Sequence, residues 1–389
     1  MEDISIFFKS VEDGVCSFVD ESIGARVQIH TENSFPDLIK KGVALIFVPE
    51  YRRSISSSEQ SLKRIDQVRE SFYKLFDHFE DDFEIYDLGT IHPGDSYQDT
   101  TAALTNSTEY LIKKNIVPII IGGSQDLTFS IYEAYKNLEL LINLATLDQE
   151  FDLGDKELEL KENGWLSHIL MDKACYLFNY SNLAAQGHYI PSSQFKLFDE
   201  LYFDVNRLGV ISDDIKTVEP VLRNSDFLSL DLNTIRNADF SASTLDLVNG
   251  VSSYDACKIA RYAGISDKLS CFGIFNLDTT KLNSVSSDLL AQLIWYFIDG
   301  YSNRKGDFPK GSKKNYKKFR VTNEELDNEL IFYKSHKSAR WWMEVPYPGA
   351  KESKFQRHQL VPCNYLDYEF AMKGELPDLW WKTYQKLSV

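Results

Sequence analysis

From about residue 43, short apolar runs alternate with longer amphipathic stretches, and this alternation constrains the fold more than any other feature. The apolar runs predict buried strands at 42–50, 83–89, 115–123, 140–148, 226–233 and 269–278. The stretches between them predict helices at 57–80, 98–114, 126–138, 253–264 and 286–301. Strands that alternate with helices favour a parallel sheet with right-handed crossovers. We therefore predict an α/β fold: three α/β/α layers around a mostly parallel, doubly wound sheet.

The central part of the chain has a weaker pattern. Residues 160–200 predict short helices and a strand near 182–190. The composition changes again near residue 302, where the segment 302–320 is rich in Lys and Arg with Gly and Pro between them. Such a charge run is typical of a solvated linker or loop.

Residues 322–389 are rich in aromatic side chains, including Trp341, Trp342, Trp380 and Trp381. This composition is too apolar for a disordered tail. We expect the segment to pack on the main domain or on a neighbouring subunit. The predicted organisation is an α/β domain at 1–301 followed by an aromatic-rich C-terminal extension at 302–389.

Charge and cysteine content limit the environment and the partners. The formal net charge of -16 disfavours nucleic acid and anionic membranes. No apolar run approaches the roughly 18 residues of a membrane-spanning helix, and the acidic N-terminus does not resemble a secretory signal. The 5 cysteines are scattered without CxxC spacing, which favours a reducing compartment. We expect a cytoplasmic protein without a membrane span.

Acidic and amide residues collect at the carboxyl ends of the predicted strands, where ligands bind in open parallel sheets. They are Gln125 and Asp126 after 115–121, Asp148, Glu150 and Asp152 after 140–147, Asp231 and Asn233 within 226–233, and Asn276 after 269–275. If the segments are extended, alternation places Asp148, Glu150 and Asp152 on one side, and likewise Asp231 and Asn233. These residues either cap strand ends or converge in a site. A convergent site requires cations, nearby basic groups or raised pKa values.

Three of these segments resemble the ureohydrolase superfamily of arginases, agmatinases and formimidoylglutamases. The family's GGDHS, DAHxD and SxDxD motifs appear here as Gly122–Asp126, Asp148–Asp152 and Ser229–Asn233, in the same order and at strand ends. The resemblance covers roughly residues 40–300, and the stretch 178–189 looks like the formimidoylglutamase branch. It implies the arginase-like fold and a homo-oligomer. It also implies hydrolysis of linear C–N bonds in amidines or guanidines, by a hydroxide held between two manganese ions.

The resemblance also assigns roles to individual positions. The family's metal-ligand positions correspond to Gln125, Asp148, Glu150, Asp152, Asp231 and Asn233. Asp148 and Asp231 are the implied bridging ligands. Gln125 and Glu150 stand where the family has histidines, Asn233 stands where it has an aspartate, and Asn276 stands where it has a substrate-binding glutamate.

One histidine is a further candidate for catalysis. His168 lies near where the family places substrate-contacting residues. It is either a proton shuttle or a histidine that packs on a helix.

These departures change the expected chemistry. Asp148, Glu150, Asp152 and Asp231 keep the formal charge of the family's ligand set, but all their donor atoms are oxygens. Such a set favours Mg or Ca over a Mn pair. An amide at Asn276 cannot form a charge-assisted bond to a cationic substrate.

The sequence therefore predicts a non-catalytic protein without a metal cofactor, serving in binding or assembly. A small molecule in the strand-end cleft and a protein bound through 302–389 are the possible partners. The alternative is a metal-dependent C–N hydrolase with an altered, all-oxygen site. In a third interpretation the chain is a structural protein that uses its basic segment and paired tryptophans for assembly.

Overall fold

The computed structural model describes residues 3–12, 15, 18–54, 64–80, 82–154, 160–309, 313–323, 328–346 and 353–388. Its strands are β1 (Phe8–Lys9), β2 (Gln28–Ile29), β3 (Gly42–Phe47), β4 (Glu84–Ile91), β5 (Ile116–Ile121), β6 (Ile142–Leu147), β7 (Leu177–Ala185), β8 (Asp204–Arg207), β9 (Phe227–Asp231), β10 (Cys271–Phe275), β11 (Tyr316–Asn323), β12 (Asn328–Ser335), β13 (Trp341–Glu344) and β14 (Leu360–Cys363). Its α-helices are α1 (Ile23–Arg26), α2 (Ile65–Tyr73), α3 (Tyr97–Lys113), α4 (Leu127–Asn137), α5 (Trp165–Leu170), α6 (Ser192–Glu200), α7 (Leu208–Asp213), α8 (Val218–Asn224), α9 (Ser253–Ile265), α10 (Ser284–Ser302), α11 (Tyr365–Met372) and α12 (Asp378–Ser388).

Strands β1 to β10 form a single sheet in the order β1-β4-β3-β5-β10-β9-β6-β7-β8, with β2 also paired to β4. Pairing is parallel throughout except at β1, which runs antiparallel to β4. The order reverses direction more than once, as in a doubly wound sheet. The predicted fold class is confirmed.

The central strands are buried on both faces because helices cover each side of the sheet. On one face, alternate residues such as Ile119 and Ile121 of β5 share a core with α2, α9 and α10. On the other face, Ile116 and Ile120 share a core with α3, α4 and α5. Because both faces of these strands are buried, their sequences are continuous apolar runs. The sheet and the helices on its two faces form the three layers.

Strands β11 to β14 form a second, antiparallel sheet that, with α11 and α12, encloses a separate small core. This part packs on the main domain. Arg223 of α8 donates to the carbonyl oxygens of Trp341 at 2.9 Å and Cys363 at 3.0 Å. Arg357 forms an ion pair with buried Asp226. The division of the chain at residue 302 stays a prediction.

Some local predictions were wrong. The strand expected near 182–190 is β7, which ends at Ala185, and strand β8 was not anticipated. The basic segment 302–320 is only partly a loop, because 316–320 belongs to β11. There Phe319 packs against the small core, while Lys318 and Arg320 are exposed. Of the helix expected at 57–80, α2 covers 65–73, and 57–63 lie outside the described residues. No helix among the described residues is long and apolar enough to cross a membrane.

Candidate functional site

The sheet order brings four strand ends together. Strands β5, β10, β9 and β6 are neighbours in that order and run parallel, so their carboxyl ends share one edge. Gln125, Asn276, Asp231 and Asp148 follow or end these strands, and each is at most 3% exposed. We call these four residues, together with Asp152, the strand-end cluster.

Amide groups donate to the carboxylates of this cluster. Nε2 of Gln125 donates to Oδ2 of Asp148 at 2.8 Å. Nδ2 of Asn276 donates to Oδ1 of Asp231 at 2.9 Å, and Oδ1 of Asn276 accepts the backbone N–H of Gln125 at 3.0 Å. The two amides therefore link the two aspartates that the resemblance assigns as bridging ligands.

Asp152 completes the cluster through a turn in the chain. Its φ of 51° lies in the left-handed region, which Asp tolerates better than most residues. Nε1 of Trp165 donates to Oδ2 of Asp152 at 2.7 Å, and the carboxyl of Asp152 hydrogen-bonds to that of Asp148. A hydrogen bond between two carboxyl groups requires that they share a proton.

Burial sets the protonation of these acids. It raises the pKa of Asp148 to about 6. It also raises the pKa values of Asp152 and Asp231 well above their ordinary values, and repulsion from Asp148 adds to both shifts. A buried group of like charges disfavours the ionised forms, so protons and amide N–H groups together hold the cluster.

Asn233 turns its carbonyl oxygen away from the cluster. It lies in a 3-10 turn, Leu232–Thr234, rather than in an extended segment. Its Oδ1 accepts the backbone N–H of Leu245 at 2.7 Å and the hydroxyl of Thr244 at 3.0 Å. Its Nδ2 donates to Oδ2 of Asp231 at 3.4 Å, so the two side chains lie together as expected, although the chain tightens into a turn where β9 ends.

Glu150 lies at the edge of the cluster, and its carboxylate is close enough to raise the pKa of Asp148. Its backbone N–H donates to Oδ1 of Asp148 at 2.8 Å, and its carbonyl accepts from Asn182 at 2.7 Å. Its carboxylate is partly exposed, and burial raises its pKa. Asp152 reaches Asp148 as expected, although the chain leaves the extended conformation at Asp152.

His168 lies on α5 and packs beside α4. Its ring centroid is 6.2 Å from that of Phe129, and burial and the nearby Arg53 lower its pKa. Phe129 belongs to α4, whereas Arg53 follows β3 and its guanidinium lies 4.1 Å from the centroid of the Tyr97 ring. The catalytic roles predicted for His168, Asp148 and Asn276 stay predictions.

Several other buried polar residues lie next to the cluster, and of these Asp126 was named from the sequence. Asp126 accepts a 2.6 Å hydrogen bond from the hydroxyl of Tyr97 and another from Ser124, and burial raises its pKa to about 7. Glu162 is buried and close enough to raise the pKa values of Asp126 and Asp231. The position of Asp126 after a strand and a glycine pair indicated a possible site residue. Nothing in the sequence around Tyr97, Trp165 and Glu162 indicated that they lie near the site.

N–H groups surround the carboxylates of the cluster. At Asp148, Asp231 and Asp152, an amide or indole N–H donates to a carboxylate oxygen. Among the described residues, no group of three or more His, Cys, Asp or Glu side chains is arranged to hold an ion.

Solved structures with this architecture were found by comparison of folds. Trypanosoma cruzi formiminoglutamase with Mn2+2 superposes with a TM-score of 0.62 at 13% identity, over 68% of this chain and 94% of that one. The chain has the arginase-superfamily fold. Formimidoylglutamase from Bacillus subtilis gives 0.62 at 17% identity, over 76% and 95% of the two chains. A hypothetical agmatinase from Burkholderia thailandensis gives 0.59 at 13% identity, over 70% and 90%.

The sequence matches no family model and no curated protein. At these identities the similarity extends to the fold, and the activity must be argued from the site.

Proposed function

We propose that this chain is a non-catalytic protein of the arginase fold. The observation that carries the proposal is the hydrogen bond from Nε2 of Gln125 to Asp148 at 2.8 Å, with its counterpart from Asn276 to Asp231 at 2.9 Å. In a hydrolytic centre these carboxylates bind cations that lower the pKa of water. Here an amide N–H donates to one oxygen of each of these two carboxylates, which opposes the binding of cations there.

The position of Asn276 supports the same conclusion. Its Oδ1 accepts from the backbone of Gln125 and its Nδ2 donates to Asp231, so both ends of the amide are engaged within the protein. A cationic amidine or guanidine is recognised by a carboxylate, which forms bonds roughly twice as strong as those of a neutral acceptor. Substrate capture and water activation are therefore both weakened.

The cluster instead links the ends of neighbouring strands through a buried hydrogen-bonded network. Its carboxyl groups are buried, and hydrogen bonds satisfy them. The function then resides in surfaces that bind other molecules, and the C-terminal part, which packs on α8 through Arg223, supplies the most distinct of them.

Metal analysis tests the proposal. The full chain is purified without chelator and dialysed in turn against manganese, magnesium and calcium, and bound metal is measured by elemental analysis. We expect no stoichiometric ion under any condition, and no hydrolysis of guanidino, formimino or amide substrates. The Asp148→Asn variant is the matched control, because it should give the same metal content as the wild type.

Binding of about two ions per chain, lost in Asp148→Asn, contradicts the proposal. It supports the alternative, a metal-dependent hydrolase of linear C–N bonds. In that case magnesium or calcium is expected to bind more tightly than manganese, because all donor atoms of the set are oxygens.

A further inference from the structure

Helix α11 exposes an apolar face. Tyr365, Leu366, Phe370 and Met372 are 52%, 56%, 44% and 61% exposed. The opposite face also carries apolar side chains, which are in the small core: the ring of Tyr368 stacks on Trp341 at 4.9 Å between centroids. Four exposed apolar side chains on one eight-residue helix differ from the single exposed apolar residues that are normal on a protein surface. The exposed face of α11 is therefore suited to being covered by another molecule.

A groove between α11 and α12 adjoins this face. Its volume is about 420 Å³, and Phe370, Leu376 and Leu379 contribute its apolar part. Trp381, which is 45% exposed, lies on the outward side of α12 one helical turn from Asp378. The apolar face of α11 and the groove together define a surface that we call the α11–α12 surface.

The charge around the groove is negative. Asp204, Asp367, Glu375 and Asp378 line it, and Lys382 is the basic residue among its lining residues. The ammonium of Lys382 lies 3.6 Å from the carboxylate of Asp204. Glu375 and Asp378 are exposed, and neither forms an ion pair with another described residue. Two unpaired carboxylates therefore stand beside an apolar groove.

We propose that the α11–α12 surface binds an amphipathic segment of a partner protein whose apolar face is flanked by Lys or Arg. Apolar anchors on one helical face enter a groove in this way in helix-in-groove recognition. The flanking cations are complementary to Glu375 and Asp378. A second copy of the chain is the less complementary occupant, because the same acidic groove would then face a chain of net charge -16. The proposal deepens the non-catalytic binding function and rests on it.

Peptide binding tests the proposal on the full chain. The probe is a fluorescein-labelled peptide of about 15 residues, long enough to form a helix when bound. It carries Leu at helical spacing and Lys on both flanks, and a second peptide has Glu in place of each Lys. Fluorescence anisotropy measures affinity at physiological salt. Hydrogen exchange locates the site.

We expect the Lys peptide to bind and to protect residues 365–382, and the Glu peptide to bind at least about tenfold more weakly. Phe370→Ser and Glu375→Lys should each weaken the Lys peptide by about tenfold or more. The matched controls are Val248→Ser, at a residue 85% exposed elsewhere, and Glu200→Lys, also exposed. Both should leave the affinity unchanged.

Three results overturn the proposal. The first is that the Lys peptide does not bind, and the second is that it binds wild type and Phe370→Ser with equal affinity. The third is a dimer, detected by light scattering, that Phe370→Ser dissociates, because this result identifies a second copy of the chain as the occupant. Failure of the proposed function is distinguishable, because it appears as bound metal lost in Asp148→Asn and does not depend on Phe370.

Discussion

The side-chain amide of Gln125 donates to the carboxylate of Asp148 across 2.8 Å, between the ends of strands β5 and β6. Both residues are almost fully buried, at 1% exposure each. A buried carboxylate is costly unless donors satisfy it. The hydrogen bond between Gln125 and Asp148 therefore affects the stability of the fold whether or not the site binds a ligand.

Gln125→Leu should destabilise the chain by about 1–3 kcal/mol, because it removes a donor from a buried acceptor. Urea unfolding followed by tryptophan fluorescence measures the change. Gln98→Leu is the matched control, since Gln98 is exposed on α3 and its substitution should cost almost nothing. Equal stability of the two variants would mean that solvent or an ion satisfies Asp148 in place of Gln125.

Asp152→Asn should stabilise the chain at neutral pH by on the order of 1–2 kcal/mol. Burial raises the pKa of Asp152 well above its ordinary value, so folding at pH 7 requires proton uptake or a buried charge. An amide can donate to Asp148 and accept from Trp165 without that proton. Because the folded pKa is raised, the advantage of Asn should shrink as the pH falls toward the unfolded value of about 3.9.

Urea unfolding at pH 7 and near pH 4 checks this dependence on pH. Exposed Asp20→Asn serves as the control and should show no such difference. Destabilisation by Asp152→Asn at pH 7, recovered on removal of divalent ions, would contradict the expectation and indicate that Asp152 binds metal.

The buried strands could be predicted from the sequence because strands covered on both faces are continuous apolar runs. Strands β5 and β6 lie within the predicted ranges for this reason. Their order in the sheet depends on contacts far apart in sequence, and only the resemblance to a known family suggested that β5, β10, β9 and β6 share one edge.

The positions of individual side chains in the site depend on local turns, which the secondary-structure propensity of the sequence does not predict. The backbone at Asp152 is left-handed and not extended, and it brings the carboxyl of Asp152 to that of Asp148. Strand β11 was interpreted as part of a linker because Lys317, Lys318 and Arg320 dominate its composition. The alternate residues Phe319 and Val321 reach the small core, and that pattern was too short to outweigh the charge.

Restoring the residue types of the resembling family should restore metal binding. The triple variant Gln125→His, Glu150→His and Asn233→Asp is expected to bind manganese at least about tenfold more tightly than the wild type, because imidazole ligands favour transition metals over an all-oxygen set. Isothermal titration calorimetry measures the affinity. The control carries the same changes at exposed positions, as Gln98→His, Glu200→His and Asn315→Asp. A folded triple variant without manganese would show that these three positions do not account for the departure from the family.

The packing of the C-terminal part should weaken in acid through His358. Its ring stacks on Phe178 at 3.9 Å between centroids, and Nε2 hydrogen-bonds to the carbonyl of Leu141 at 3.2 Å. Burial lowers its pKa well below the ordinary value, and the neighbouring Lys268 and Arg357 lower it further.

The neutral ring of His358 therefore favours folding above the unfolded pKa of about 6.5, and this contribution is lost as the pH falls below it. Between about pH 7.5 and 5.5, the wild type should lose about 1.4 kcal/mol more stability than His358→Gln. Carboxyl groups with raised pKa values increase the stability as the pH falls, but they do so equally in both proteins. The difference in stability between wild type and His358→Gln therefore reports on His358 alone. Exposed His336→Gln should behave like the wild type. Parallel pH profiles of wild type and His358→Gln in urea unfolding would mean that His358 is solvated and that acid acts on the interface elsewhere.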